Sequence, residues 1–266
     1  MLNAPVDGLC KYLLMRKNMS VKLKDVVKNK KMMIYLLKFI IRLSIFIIFL
    51  VMYIFKRDEL YQLATQSVTN GITSLHILWV IFMCIMLSHL FPINKMTMAL
   101  RKGHRETYSE VTGYSEIELH RFIQKQNIRA WVVMLVWLIF NGIWGGLYLA
   151  GILENIDLLM LTVFYFLCDY ICILFYCPFQ HLIMKNKCCV NCRIYDWGHF
   201  MMFTPMMFIK DFFSWSLFFV SCVVLIHWEI IYAKHPERFW YGSNNVLKCS
   251  QCKDKTCMVK HKPKKG

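Results

Sequence analysis

The chain has 266 residues, of which 58% are hydrophobic, and its mean hydropathy is +0.43, more apolar than a single water-soluble core of this size normally is. Lipid must take the surplus, which excludes an ordinary soluble domain. Thirty-two Lys and Arg oppose sixteen Asp and Glu, a balance of +16 that on so apolar a chain points to anionic lipid headgroups before nucleic acid.

Residues 1–33 carry eight bases and form a basic N-terminal segment. The first apolar run begins near Met32, behind this polar leader, with no small-residue cleavage site after it, so the first span is expected to stay in the protein. A hydrocarbon core about 30 Å thick needs roughly 20 apolar residues of helix. Four segments meet that length, 34–55, 74–92, 130–152 and 158–177. The expected fold is therefore all-α, a polytopic helical membrane domain over 34–232. Within the spans, Arg42 and Asp169 lie at matching depths of about 12 Å from the same side, counted at 1.5 Å per residue. Ionisable groups at such depth are costly unless paired, so the first and fourth spans are expected to touch through them.

Between the second and third spans, Ser115-Glu116-Ile117-Glu118 reads as a helix start with Ser115 as N-cap and Glu118 reciprocating. The helix would run on to the third span. Residues 115–129 place Ile117, Phe122, Ile123 and Ile128 among Arg121, Lys125 and Arg129, which suits a surface helix on the membrane.

A long apolar stretch at 199–232 is interrupted by Pro205 and by Lys210-Asp211. Lys and Arg in short loops stay on the cytoplasmic side. The loop at 93–129 has seven bases and that at 178–212 four, whereas the two alternate loops hold only Lys56 and Arg57. The N-terminus is thus expected in the cytoplasm of a multi-pass cell-membrane protein. The tail from 233 to 266 has nine bases and also reads as internal, yet a single fifth span would deliver it outside. A half-helix at 200–209, too short to cross at about 15 Å, pairing with a span at 212–232 resolves the conflict, provided protein satisfies its freed backbone groups. The rival is an interfacial helix at 200–209, five spans and an external tail.

Six of twelve cysteines fall in two polar groups, Cys188, Cys189 and Cys192, then Cys249, Cys252 and Cys257. Each contains a C-x-x-C pair, a spacing that turns two thiolates onto one ion, and flanking Lys and Arg favour the thiolate. Cys189, Cys192, Cys249 and Cys252 suffice for a tetrahedral zinc or an iron–sulfur cluster, with Cys188, Cys257 and His261 in reserve. The site needs both groups on one face, which the internal-tail topology supplies. Reduced thiols or disulfides are the plainer alternatives. Cys10, Cys84, Cys168, Cys172, Cys177 and Cys222 read as small buried hydrophobes.

Asp196, ahead of the half-helix, reads as its cap, and the methionines around Pro205 as flexible packing before soft copper ligands. No Walker loop, dinucleotide fingerprint, H-E-x-x-H or nucleophile elbow is present, which removes the commonest nucleotide and hydrolase readings. The leading expectation is a membrane protein binding a metal through juxtamembrane cysteines for redox, sensing or bracing. Two rivals stand beside it. One is a small transporter using Arg42, Asp169, Asn141 and the half-helix. The other is an accessory scaffolding subunit.

Overall fold

The computed structural model describes residues 30–57, 59–60, 67–69, 72–91, 97–186, 188–248 and 250–251. The expected helices are present. Helix α1 is Lys30–Phe55, α2 Ser74–Ser88, α3 the single turn Met98–Arg101, α4 Glu116–Leu149, α5 Asn155–Leu174, α6 Gly198–Phe203 and α7 Phe212–Lys234. Four of them, α1, α4, α5 and α7, are long and apolar enough to cross a membrane. Among the described residues the strands form one short antiparallel pair, β1 (Ser67–Thr69) with β2 (Ile72–Thr73), which leads into α2, and an isolated antiparallel bridge joins Glu110 to Asn244.

Local chemistry explains several helix ends. Ser115 caps α4 by accepting the Glu118 N–H at 3.4 Å; Glu118 does not reciprocate. Helix α4 has 34 residues, about 51 Å, so residues 116–129 are continuous with the third span. They pass beyond it to meet the tail, where Phe122 stacks on Trp240 at 6.0 Å. Glu154 and Asp157 form a reciprocal capping box at the start of α5. Asp157 also takes hydrogen bonds from Tyr53 at 2.6 Å and Arg57 at 2.8 Å, which ties α1 to α5 at that end.

Helix α2 stops four residues short of the expected 74–92. Its 15 residues cover about 22 Å, because His89 leaves the helix to meet Asp196 at 2.7 Å; Pro92 in any case disfavours helix at the residue before it.

The core is built around the segment that the sequence marks as broken. Gly198–Phe203 is α-helical and Thr204–Phe208 continues as a 3-10 turn. Phe200, Met202, Phe203, Thr204, Pro205 and Met206 are buried. Phe203 lies edge-on to Phe82 of α2 at 5.3 Å, and Trp137 of α4 donates to Thr204 at 3.0 Å. Thr204 in turn donates to the Phe200 carbonyl at 2.7 Å. Protein thus surrounds the irregular backbone, the condition under which a broken helix is tolerated at membrane depth.

This segment runs the thickness of the bundle. Gly198 lies beside Asp169 in the half of α5 nearest the basic loops, and Phe208 lies against Gly145 near the far end of α4. Helix α7 then starts beside the first turns of α2, with Phe213 4.7 Å from His76 and 6.0 Å from Trp79. It returns to the basic loops, where Trp228 donates to the Arg193 carbonyl at 2.7 Å. Residues 235–248 consequently share one end of the bundle with the loops at 97–115 and 184–197. Arg238 donates to the Gly103 carbonyl at 2.9 Å, Val111 N–H to Ser243 at 2.9 Å and Asn245 N–H to Ser109 at 2.8 Å. The arrangement with residues 200–209 lying on the surface and the tail at the opposite end is not the one adopted.

Candidate functional site

Charged and polar side chains with specific partners cluster toward this basic end. Arg42 and Asp169 meet as their depths predict: the guanidinium donates to the carboxylate at 2.8 Å and to the Phe166 carbonyl at 2.7 Å. It also lies over the Phe166 and Tyr170 rings at 4.0 and 4.1 Å. Glycine at 198 lets the chain pass close to this pair, since a methyl group there would lie 3.1 Å from the Asp169 carboxylate. Asn141 is buried and spends its amide on the Trp137 carbonyl and the Tyr165 hydroxyl. The three polar groups of the transport reading are therefore satisfied by local partners.

Asp196 does not cap α6. The N-cap position is Trp197, without a side-chain bond, and the Asp196 carboxylate instead meets Nδ1 of His89, whose ring lies edge-on to His199 at 4.8 Å. Burial raises the Asp196 carboxyl above its ordinary range while the bond to His89 opposes the rise. Glu229 is shared by Arg193 and the Trp197 indole, the latter at 2.9 Å. Met202 and Met206 belong to the apolar core, in keeping with packing.

Lys102 is a functional-looking residue that sequence reading passed over, because in a basic loop one lysine resembles another. It is 1% exposed. Its ammonium donates to the carbonyls of Val190, at 2.8 Å, and Cys192, and the Trp228 and Phe239 rings lie 5.5 and 5.4 Å away. It therefore pins the 189–192 turn, in which Cys192 N–H donates to the Cys189 carbonyl at 2.9 Å. Burial brings the Lys102 pKa down to about 8 against attraction from the neighbouring thiols, and burial pushes Cys192 up to about 12 against the pull of Lys102.

The lowered lysine pKa carries a stability consequence. Between about 8 and its ordinary value of 10.5, the unfolded chain holds a proton that the folded chain has shed, so the Lys102 contribution to stability rises with pH across that window. The thermal midpoint of the wild type minus that of Lys102→Met, measured in detergent, is expected to grow from pH 7 to pH 10. Parallel pH curves would show that Lys102 is not desolvated.

The predicted cysteine ligands divide. Cys188 is half-buried and packs with Ala99, Val190 and Leu247. Cys189 and Cys192 are buried and turn inward. Cys189 donates to the Gln180 side-chain carbonyl at 3.0 Å, and Cys192 joins the cluster around Trp197 and Trp228. Cys249, Cys252 and Cys257 lie outside the described residues. Among the described residues no three His, Cys, Asp or Glu side chains are grouped so as to hold a metal ion.

The inward turn brings Cys189 and Cys192 to cysteines assigned to plain packing. A cavity of about 580 Å³ between α4, α5 and the loop after α5 is lined by Cys168, Cys172, Cys177, Cys189 and Cys192. The available signal was partial: Cys168 and Cys172, four apart, share a face of α5, whereas Cys177 lies past its end at Leu174. What hydropathy did not reveal is the reversal after Leu174, where Tyr176 N–H reaches back to the Ile171 carbonyl at 3.1 Å and the π-helical turn Phe179–Ile183 follows. No protein-family model matches the chain, and no curated protein or solved structure matches it either, so the arrangement of its side chains alone carries the functional reading.

Proposed function

We propose that this integral membrane protein presents its basic end to the cytoplasm and there holds a metal ion through thiolates drawn from both the 188–192 loop and the 249–257 tail. The observation that carries the reading is the burial of Leu247 against Val190, in the cluster that includes Cys188. Cys249 follows two residues later, within about 7 Å of chain. With Cys189 and Cys192 turned inward, the favoured ligand set is Cys188, Cys249, Cys252 and Cys257, four thiolates for a zinc ion or an iron–sulfur cluster. Lys248, Lys253 and Lys255 favour the ionised sulfurs. The excess of Lys and Arg at this end supports the orientation, and the terminal run of lysines meets anionic headgroups.

Metal analysis and an absorption spectrum of anaerobically purified protein test the proposal. Stoichiometric zinc, or iron with sulfide, is expected in the wild type, lost in Cys188→Ser and Cys252→Ser and retained in Cys172→Ser. A wild type without metal overturns the reading.

A further inference from the structure

We propose that the cysteine-lined cavity admits a lipid-soluble quinone from the bilayer, and that the quinone oxidises the Cys172–Cys177 dithiol to a disulfide. Position dictates the class of occupant. Residues of α4 and α5 on the bundle's outer face line the cavity, with Val136 45%, Phe140 44% and Phe164 43% exposed, and both helices are spans. The mouth therefore opens toward hydrocarbon, where a ligand must be membrane-soluble. The walls include Trp137, Phe140, Tyr165 and Phe179, flat surfaces on which a quinone ring can stack. The volume falls within the roughly 300–1,000 Å³ of small-molecule sites.

The thiols supply the chemistry. Cys172 and Cys177 line the same cavity across the widened turn in which Tyr176 N–H reaches the Ile171 carbonyl at 3.1 Å, and the Cys177 sulfur accepts the Gln180 N–H at 3.4 Å. Cys189 lies alongside, its sulfur 3.8 Å from the Cys172 carbonyl oxygen, and Cys192 completes a C-x-x-C pair on the same cavity. In the proposed step Cys172 and Cys177 lose two protons and two electrons as one S–S bond forms. The quinone takes up both, its two carbonyls becoming the hydroxyls of the quinol. Cys189, with Cys192 as its partner, is placed to reduce that disulfide by thiol exchange, which conserves electrons and moves the S–S bond to the 189–192 pair.

The test uses the full chain, reduced and reconstituted in nanodiscs, with decylubiquinone as the probe, because its fully substituted ring blocks thiol addition. One quinol per disulfide is expected by absorbance, with the bond located by mass spectrometry among Cys172, Cys177, Cys189 and Cys192. Cys172→Ser with Cys177→Ser should slow quinol formation at least tenfold, whereas Cys188→Ser should leave it unchanged. Should the double variant fail to fold, Val136→Trp, which narrows the mouth and keeps every thiol, should slow it by a similar factor. Quinol formation no faster than with free dithiol in the same nanodiscs, or unaffected by Val136→Trp, overturns the proposal. Because Cys188→Ser removes the proposed metal site and spares this one, failure of either reading is separable from failure of the other.

Discussion

Arg42→Gln is expected to lower folded yield and thermal stability more than Asp169→Asn does, and the two together are expected to recover much of the loss. The asymmetry follows from the partners. When Asp169 loses its charge, Arg42 keeps the Phe166 carbonyl at 2.7 Å and two aromatic faces near 4 Å, so the cation remains accommodated. When Arg42 is removed, a carboxylate is left inside α5 beside the Gly198 turn with its Arg42 ion pair gone. Breaking a fully buried pair costs about 3–5 kcal/mol. Side-chain exposures of 18% and 32% place Arg42→Gln near the lower end, about 3 kcal/mol, and Asp169→Asn nearer the 1–2 kcal/mol of a lost charged hydrogen bond. The double variant carries neither charge, so a coupling of about 1–3 kcal/mol should appear in the cycle. Thermal unfolding in detergent, followed by size-exclusion chromatography, measures all four proteins. A double variant as unstable as the sum of the singles would mean that the pair does not link α1 to α5.

That pair also shows where the sequence was legible. Depth along two helices is set by a constant rise per residue, so opposite charges at equal depth could be matched without knowing the packing. The same regularity placed α1, α5 and α7 close to their ends and put Ser115 at the cap of α4. The break around Pro205 was legible for a related reason, since proline and a charged pair cannot sit in an uninterrupted span. What was not legible depends on contacts distant in sequence. Asp196 looked like a local cap, but its partner is His89, 107 residues away. The end of α2 moved for the same reason. Cys172 and Cys177 look like packing until the chain reverses behind them and lays the 188–192 loop on top, and hydropathy carries no record of that reversal. Lys102 was hidden because burial, which distinguishes it, comes from Trp228 and Phe239 on a helix and tail more than a hundred residues away.

The broken segment between α6 and α7 makes the sharpest steric demand, at Gly145 of α4. A methyl group there would lie 2.1–2.5 Å from atoms of the Phe208 ring, a distance that nothing short of moving the ring or the backbone can relieve. The 3-10 turn has little room to yield, because Trp137 and the Phe200 carbonyl hold Thr204 and Pro205 fixes the next φ. Gly145→Ala should therefore cost about 1–3 kcal/mol by overpacking, and Gly145→Leu should abolish the folded peak in size-exclusion chromatography. Gly142 and Gly146 on the same helix have open space where a Cβ would stand, so alanine at either is expected to be neutral or slightly stabilising. Phe208→Leu should restore part of the Gly145→Ala loss, since the smaller side chain clears the methyl group. The comparison reaches beyond packing, because Phe208 reaches Gly145 only if residues 198–208 run from the basic end to the far end of α4, and that crossing brings the tail back to the cysteine loop. If Gly145→Ala behaves like Gly142→Ala, the segment does not rest on α4, and the meeting of Leu247 with Val190 loses its topological basis.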